Sequence, residues 1–174
     1  MNRAVFLDRD GVIIKSLAVN GRPVSIKSFS EVEILPGVQN ALNHLRESGF
    51  ELVVVTNQPD VARGKISLEM VEEIHSYLQI ELDLPHIYAC FHDDSHKCHC
   101  RKPMPGLLLQ AANDLNIELN SSFMVGDRWR DIDAGFNAGC KCFFIPNFFN
   151  EKVSSYPFTE VDSLLHASTL IKEN

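Results

Sequence analysis

Apolar residues along this chain fall into two alternating patterns. Short unbroken runs, Val5-Phe6-Leu7, Leu52-Val53-Val54-Val55, Phe123-Met124-Val125 and Cys142 to Ile145, suit strands covered on both faces. A further short strand is expected from Ile87 to Phe91. Between these runs, apolar positions recur at helical spacing. Val38, Ala41, Leu42 and Leu45, introduced by Pro36-Gly37, mark an amphipathic helix that Gly49 can end. Met70, Val71, Ile74, Tyr77 and Leu78 mark a second, capped by Ser67 and running to about Leu82. Pro105 can open a third through Leu107, Leu108, Ala111 and Leu115. A fourth is expected from about Arg130 to Ala138, and a short terminal one near Val161 to Ile171. Lys15 to Glu31 carries Gly21 and Pro23 and no helical period, so it reads as a long loop or small hairpin.

Strands alternating with helices predict an α/β fold, a mainly parallel sheet with helices on both faces. Such sheets bind ligands beyond the carboxyl ends of their strands, near the point where strand order reverses. Asp8, Thr56 and Asp127 all stand at that end of an apolar run, which predicts one shared site.

Length and charge narrow the picture. At 174 residues, one domain spanning 1–174 is expected, without repeats or linkers. No apolar stretch approaches the ~20 residues of a membrane span, and the N-terminus enters a strand without a signal-peptide pattern. The expectation is a cytoplasmic, monomeric chain with no membrane partner. A net charge of -7 argues against nucleic acid as a partner, because backbone phosphates demand clustered Lys and Arg. Any anionic substrate must be held by local cations.

The chemistry begins where the first run stops, at Asp8-Arg9-Asp10-Gly11. Side chains two apart on an extended chain share a side, so the two acids face one small volume. A divalent cation such as Mg²⁺ would relieve their repulsion in an all-oxygen site, although Asp-Gly is also an ordinary turn dipeptide. Five cysteines are present, three of them in the segment Cys90-Phe91-His92 to Cys98-His99-Cys100. In a reducing compartment this points to metal before disulfides. Cys90, His92, Cys98 and Cys100, with His96 and His99 as further donors, suit tetrahedral Zn²⁺. Cys140 and Cys142, two apart in an apolar run, read as core.

Four segments in order resemble the motifs of the haloacid-dehalogenase-like (HAD) phosphatases: Asp8-Arg9-Asp10-Gly11, Thr56-Asn57, Cys100-Arg101-Lys102-Pro103, and Gly126-Asp127-Arg128-Trp129-Arg130-Asp131. The resemblance implies a Rossmann-like three-layer sandwich. It implies that Asp8 attacks phosphorus to form an aspartyl-phosphate, and that Asp10 serves as general acid and then base. Thr56, with Asn57 beside it, would hold the transferring phosphate, and Lys102 would neutralise it. Asp127 would bind Mg²⁺ with the Asp8 carboxylate and the Asp10 carbonyl, while Asp131 would orient Lys102 or a metal-bound water. Asp133 is an ordinary helix-start acid.

Cys-x-His followed by Cys-x-Cys-Arg-Lys-Pro resembles the HAD subgroup of histidinol-phosphate and D-glycero-D-manno-heptose 1,7-bisphosphate phosphatases. On that ground Cys90, His92, Cys98 and Cys100 are the zinc ligands, and the zinc is structural. Val61-Ala62-Arg63-Gly64 and Pro103-Met104-Pro105-Gly106-Leu107-Leu108 favour the heptose branch, whose substrate loses its 7-phosphate; histidinol phosphate or another small phosphomonoester is the alternative. Arg101 and Arg128 would hold the distal phosphate or sugar hydroxyls. No insertion between the motifs is large enough for a cap domain. A non-catalytic zinc-bearing binding module is the reading of another class, and the presence together of Asp8, Asp10, Lys102 and Asp127 argues against it.

Overall fold

The computed structural model describes residues 1–173. Strand β1 (Arg3–Leu7) leads into a two-stranded hairpin, β2 (Leu17–Val19) and β3 (Arg22–Val24). Helix α1 (Val38–Glu47), strand β4 (Phe50–Asn57), helix α2 (Leu68–Glu81) and strand β5 (His86–Cys90) follow. After the Cys/His segment come α3 (Gly106–Leu115), β6 (Phe123–Gly126), α4 (Trp129–Ala138), β7 (Lys141–Phe144), β8 (Thr159–Glu160) and α5 (Leu164–Lys172). The main sheet has the order β5-β4-β1-β6-β7-β8 with every pairing parallel.

The unbroken apolar runs are explained by burial on both faces. Val5, Leu7, Leu52, Val54, Phe123 and Val125 point to a core shared with α1, α2 and α5. Their neighbours Ala4, Phe6, Val53, Val55 and Met124 point the other way, to α3 and α4. Cys140 and Cys142 belong to that second core, each 5% exposed, and burial pushes both thiols up to about 12. They are neutral filler, as expected.

Chain order reverses at β1, with β4 and β5 on one side and β6 to β8 on the other. The carboxyl ends of β1, β4, β5 and β6 therefore deliver Asp8, Asn57, Cys90 and Asp127 to one end of the sheet. Of the two readings of Lys15 to Glu31, a long loop or a small hairpin, the structure shows the hairpin, with one 3₁₀ turn at Phe29–Glu31. Two strands differ from the expected runs. Strand β4 starts at Phe50 and continues through Thr56 and Asn57, because parallel pairing with β5 extends as far as Asn57 and Cys90. Strand β8 was not foreseen: two residues carry no periodicity, and only pairing with Phe143 and Phe144 defines them.

One side chain completes the sheet where backbone runs short. The β1–β6 ladder starts at Val5 and Phe123, so the amide of Ala4 lies beyond it and donates instead to Ser122 Oγ at 2.9 Å. That hydroxyl donates in turn to the Glu118 carbonyl at 2.6 Å, and Ser122 is fully buried. Ser122→Ala leaves a buried amide without an acceptor, and we expect a loss of about 1–3 kcal/mol, read as a lower urea midpoint at unchanged slope.

Candidate active site

Asp8 follows β1 directly, and its amide donates to the Val125 carbonyl at 3.0 Å, which ties it to β6. The chain then turns sharply at Gly11, whose φ of +90° suits glycine alone. A Cβ at Gly11 would lie 2.0 Å from Asp127 Oδ2, so the first and last acids of the site approach across a bare backbone. Asp127 is set by close packing behind it. Cβ atoms added at Gly126 and Gly135 would sit 2.1 Å from Asp131 Cβ and 2.5 Å from Met124 Cβ, so both glycines let α4 lie tightly on the sheet. At the start of α4, Asp131 Oδ2 accepts from the Arg128 amide at 3.0 Å, a capping interaction that fixes its carboxylate.

Lys102 arrives from the opposite direction, out of the Cys/His segment. Both backbone polar groups of Lys102 are held by the Asn57 carboxamide, each at 3.0 Å. Its ammonium is 2% exposed and donates to Asp8 Oδ1 at 2.7 Å, to the Val55 carbonyl at 2.7 Å, and pairs with Asp131 Oδ1 at 2.6 Å. Burial alone would discharge this lysine, but Asp131 and Asp8 outweigh it and keep its affinity for the proton above normal.

The acids carry the opposite stress. Burial raises the Asp8 carboxyl to about 7, against the pull of Lys102 and with help from Asp131 and Asp10. Burial, then Asp8 and Asp131, push Asp127 well above the carboxylate range. Asp127 Oδ1 is buried with no hydrogen-bond partner, while Oδ2 accepts from Asn147 Nδ2 at 3.2 Å. Carboxylate oxygens of Asp8, Asp127 and Asp131 lie within 4.8 Å of one another. Asp131 spends both oxygens on Lys102 and the Arg128 amide, so Asp8 and Asp127 are the pair left to a cation. The Asp10 carbonyl accepts none of the backbone hydrogen bonds that close the turn after β1. The orphaned buried oxygen and the hard donor set fit Mg²⁺.

Asp8, Asp10 and Asp131 open onto a cleft of about 210 Å³, lined also by Asn57, Gln58, Arg63, Arg101, Arg128, Arg130 and the hairpin residues Leu17, Pro23 and Val24. Arg101 Nε donates to Asp94 Oδ1 at 3.0 Å, and Arg130 reaches the same oxygen at 3.3 Å. Arg128 is paired with Glu151. The Thr56 hydroxyl is buried and accepts from Gln58 Nε2 at 2.9 Å rather than facing the cleft. Asn57 lines the cleft, but its carboxamide is committed to Lys102. The Pro59 to Lys65 loop, expected to shape the pocket, supplies Arg63; Gln58 and Arg130 were not foreseen as cleft residues, although Arg130 lies inside a stretch already singled out. What brings them in is the fold, not their spacing.

Beside Lys102 the four soft donors meet. Cys90, Cys98 and Cys100 sulfurs are 3.2 to 3.7 Å apart, and His92 Nδ1 lies 3.6 Å from Cys90 and 3.3 Å from Cys100. Tetrahedral ligands of one zinc ion lie roughly 3.8 Å apart, so the set suits that ion. His96 is turned away and bonds Asp93 at 2.9 Å. A Cβ at Gly106 would meet the His99 carbonyl at 2.2 Å, so the loop is clamped onto the start of α3.

Comparison with known proteins agrees with this geometry. Residues 23–139 match the haloacid dehalogenase-like hydrolase family. The chain belongs to that family. Among its relatives, a Helicobacter pylori protein named D-glycero-beta-D-manno-heptose-1,7-bisphosphate 7-phosphatase is 40% identical over 146 residues, 80% of this chain and 81% of that one. The Escherichia coli K12 protein of the same name is 38% identical over 152 residues, 79% of this chain and 76% of that one. The crystal structure of D,D-heptose 1,7-bisphosphate phosphatase from B. bronchiseptica, complexed with magnesium and phosphate, superimposes on this HAD fold with a TM-score of 0.85 at 27% identity, covering 99% of both chains. Among the described residues no helix is long and apolar enough to cross a membrane.

The raised carboxylates make a pH prediction. Asp8 holds its proton to about 7 in the native chain and to 3.8 when unfolded. Between those values the native state binds more protons, so this contribution lowers stability as pH rises. A cation on Asp8 and Asp127 removes that cost. Mg²⁺ should therefore raise the unfolding temperature more above pH 7 than near 3.8 to 5, and Asp127→Asn should abolish the difference. Equal shifts at both ends of the range would contradict the assignment.

Proposed function

We propose that the chain, acting as one domain, is a Mg²⁺-dependent phosphatase that removes the 7-phosphate of D-glycero-D-manno-heptose 1,7-bisphosphate. The observation that carries this reading is the buried Lys102 ammonium held between Asp8 and Asp131 at the floor of an arginine-lined cleft. Phosphoryl transfer needs an in-line nucleophile, cations around the equatorial oxygens and a proton donor for the leaving alkoxide. Asp8 supplies the nucleophilic oxygen, and attack on phosphorus gives an aspartyl-phosphate while the sugar oxygen departs. Lys102 neutralises the charge that gathers on the transferring group. Asp10, at the cleft edge, gives its proton to the departing oxygen and later takes one from the water that frees Asp8. Held by Asp8, Asp127 and the Asp10 carbonyl, Mg²⁺ would supply further positive charge opposite the phosphate oxygens.

The names of the relatives support the heptose substrate, and so does the charge of the cleft. Arg63, Arg101, Arg128 and Arg130 surround a space with room for a second phosphate beyond the reacting one. The hairpin β2–β3 closes one side without forming a cap domain, which suits a small sugar phosphate. Nucleic acid and membrane remain outside this reading, and we place the enzyme in the cytoplasm as a monomer.

Phosphate release from heptose 1,7-bisphosphate of both anomers, histidinol phosphate and fructose 1,6-bisphosphate tests the proposal. A strong preference for the heptose substrate is expected, with Asp8→Asn inactive. Preference for histidinol phosphate would replace the substrate, and an active Asp8→Asn would remove the mechanism.

Zinc has a separate part. The zinc loop ends two residues before Lys102, so its loss should misplace the ammonium while leaving Asp8 and Asp127 in place. Removing zinc is expected to lower turnover while the Mg²⁺-induced rise in unfolding temperature persists. Full turnover by a sample shown by metal analysis to be zinc-free would contradict this.

A further inference from the structure

Between the two acids of the first motif lies an arginine that no step above uses. Arg9 is 1% exposed, the largest of the fully buried side chains. Its Nε donates to Asp10 Oδ2 at 3.0 Å and its NH2 to Oδ1 at 3.1 Å, while NH2 also stands 3.0 Å from Oδ2. Gln58 Nε2 donates to the same Oδ2 at 2.9 Å and to Thr56 Oγ1 at 2.9 Å. The remaining guanidinium nitrogen, NH1, donates to His75 Nε2 at 3.2 Å. Burial, then the Arg9 charge, push His75 down to about 4, so the ring is neutral and its Nε2 can accept.

The cost of burying a guanidinium this completely is large unless every donor is used. A structural ion pair needs only one good partner. Here the donors are divided, two nitrogens to one carboxylate at the cleft and the third to a helix behind it. The two carboxylate oxygens are unequal as a result. Oδ2 is approached by Arg9 and Gln58 together, which occupies its lone pairs, whereas Oδ1 receives a single donor and keeps room for a proton.

We propose that Arg9 is a positioning residue for Asp10: with Gln58 it turns the carboxylate so that Oδ1 faces the leaving group, and His75 on α2 sets the guanidinium that does so. The step this serves is balanced. The Asp8–phosphorus bond forms as the bond from phosphorus to the sugar oxygen breaks, and the proton on Asp10 Oδ1 passes to that oxygen, leaving an alcohol and the Asp10 carboxylate. Water then gives a proton back to Oδ1 as it attacks phosphorus and releases Asp8.

The inference rests on the phosphatase reading, and the leaving group separates the two. A sugar alkoxide must be protonated as it departs, but nitrophenolate departs without a proton. Arg9→Met should lower kcat/KM for heptose 1,7-bisphosphate by about 100-fold and for p-nitrophenyl phosphate by less than about threefold. The ratio of the two is the same however much of the sample is folded. His75→Leu should move that ratio in the same direction by about tenfold, and His75→Gln, which keeps an acceptor, should restore it. Equal losses on both substrates for Arg9→Met, or an unchanged ratio in His75→Leu, would overturn the assignment while leaving the phosphatase standing. A wild-type protein that releases phosphate from neither compound would remove the phosphatase and the positioning role together.

Discussion

A lysine ammonium buried to 2% exposure is the constraint from which the rest of the site follows. An ammonium out of water is tolerable only with opposite charge in contact and its protons used. Lys102 meets both conditions by pairing with Asp8 from the sheet centre and Asp131 from α4, with the Val55 carbonyl as third acceptor. Those partners come from three separate parts of the chain. Each must be placed to within hydrogen-bond distance, which explains why the surroundings are crowded with rigid devices. The Asn57 carboxamide clamps the lysine backbone, four glycines (Gly11, Gly106, Gly126 and Gly135) remove side chains where elements touch, and the Cys/His cluster gathers the loop that carries the lysine.

One positive charge does not balance the acids it serves. Asp8, Asp127 and Asp131 bring three carboxyls within 4.8 Å, against a single ammonium. Burial and mutual repulsion raise the affinity of Asp8 and Asp127 for protons above that of an ordinary carboxylate, and Asp127 is left with an oxygen that nothing bonds. This is a site short of positive charge, and a hard divalent ion would supply what is missing. The same deficit explains why Asp131 is better regarded as the orienter of Lys102 than as a metal ligand, since both its oxygens are already spent.

How much of this the sequence discloses depends on how local each feature is. The apolar runs of β1, β4 and β6 are legible because burial on both faces leaves no alternative composition, and their ends carry Asp8, Asn57 and Asp127 whatever the order of the sheet. The convergence of Cys90, His92, Cys98 and Cys100 is legible because soft donors are rarely clustered in sequence by accident. By contrast, β8 is two residues long and exists only through pairing. The role of Asn57 is equally non-local, since its carboxamide is claimed by a residue 45 positions away, while the Thr56 hydroxyl is turned to its neighbour Gln58. Arg9 looks from sequence like a spacer between two acids, and only the packing of α2 gives His75 to it.

The charge of the cleft raises a difficulty that its geometry resolves. In a chain of net charge -7, every cleft arginine has an acidic partner, so none stands idle for an anion. The partners are not equally committed. Asp94 is 57% exposed on its side chain, while the Arg101 it holds is 9% exposed. Ion pairs with so wet a partner are worth about 0–1 kcal/mol, and the carboxylate can return to water at little cost. A phosphate dianion entering the cleft would offer Arg101 and Arg130 two charges in place of one, in a drier place, and Asp94 would give way. Until then it holds both guanidiniums on one oxygen, so part of the entropy of gathering them is spent before any ligand arrives. An acidic protein can in this way offer cations to an anion inside a cleft without presenting a basic surface.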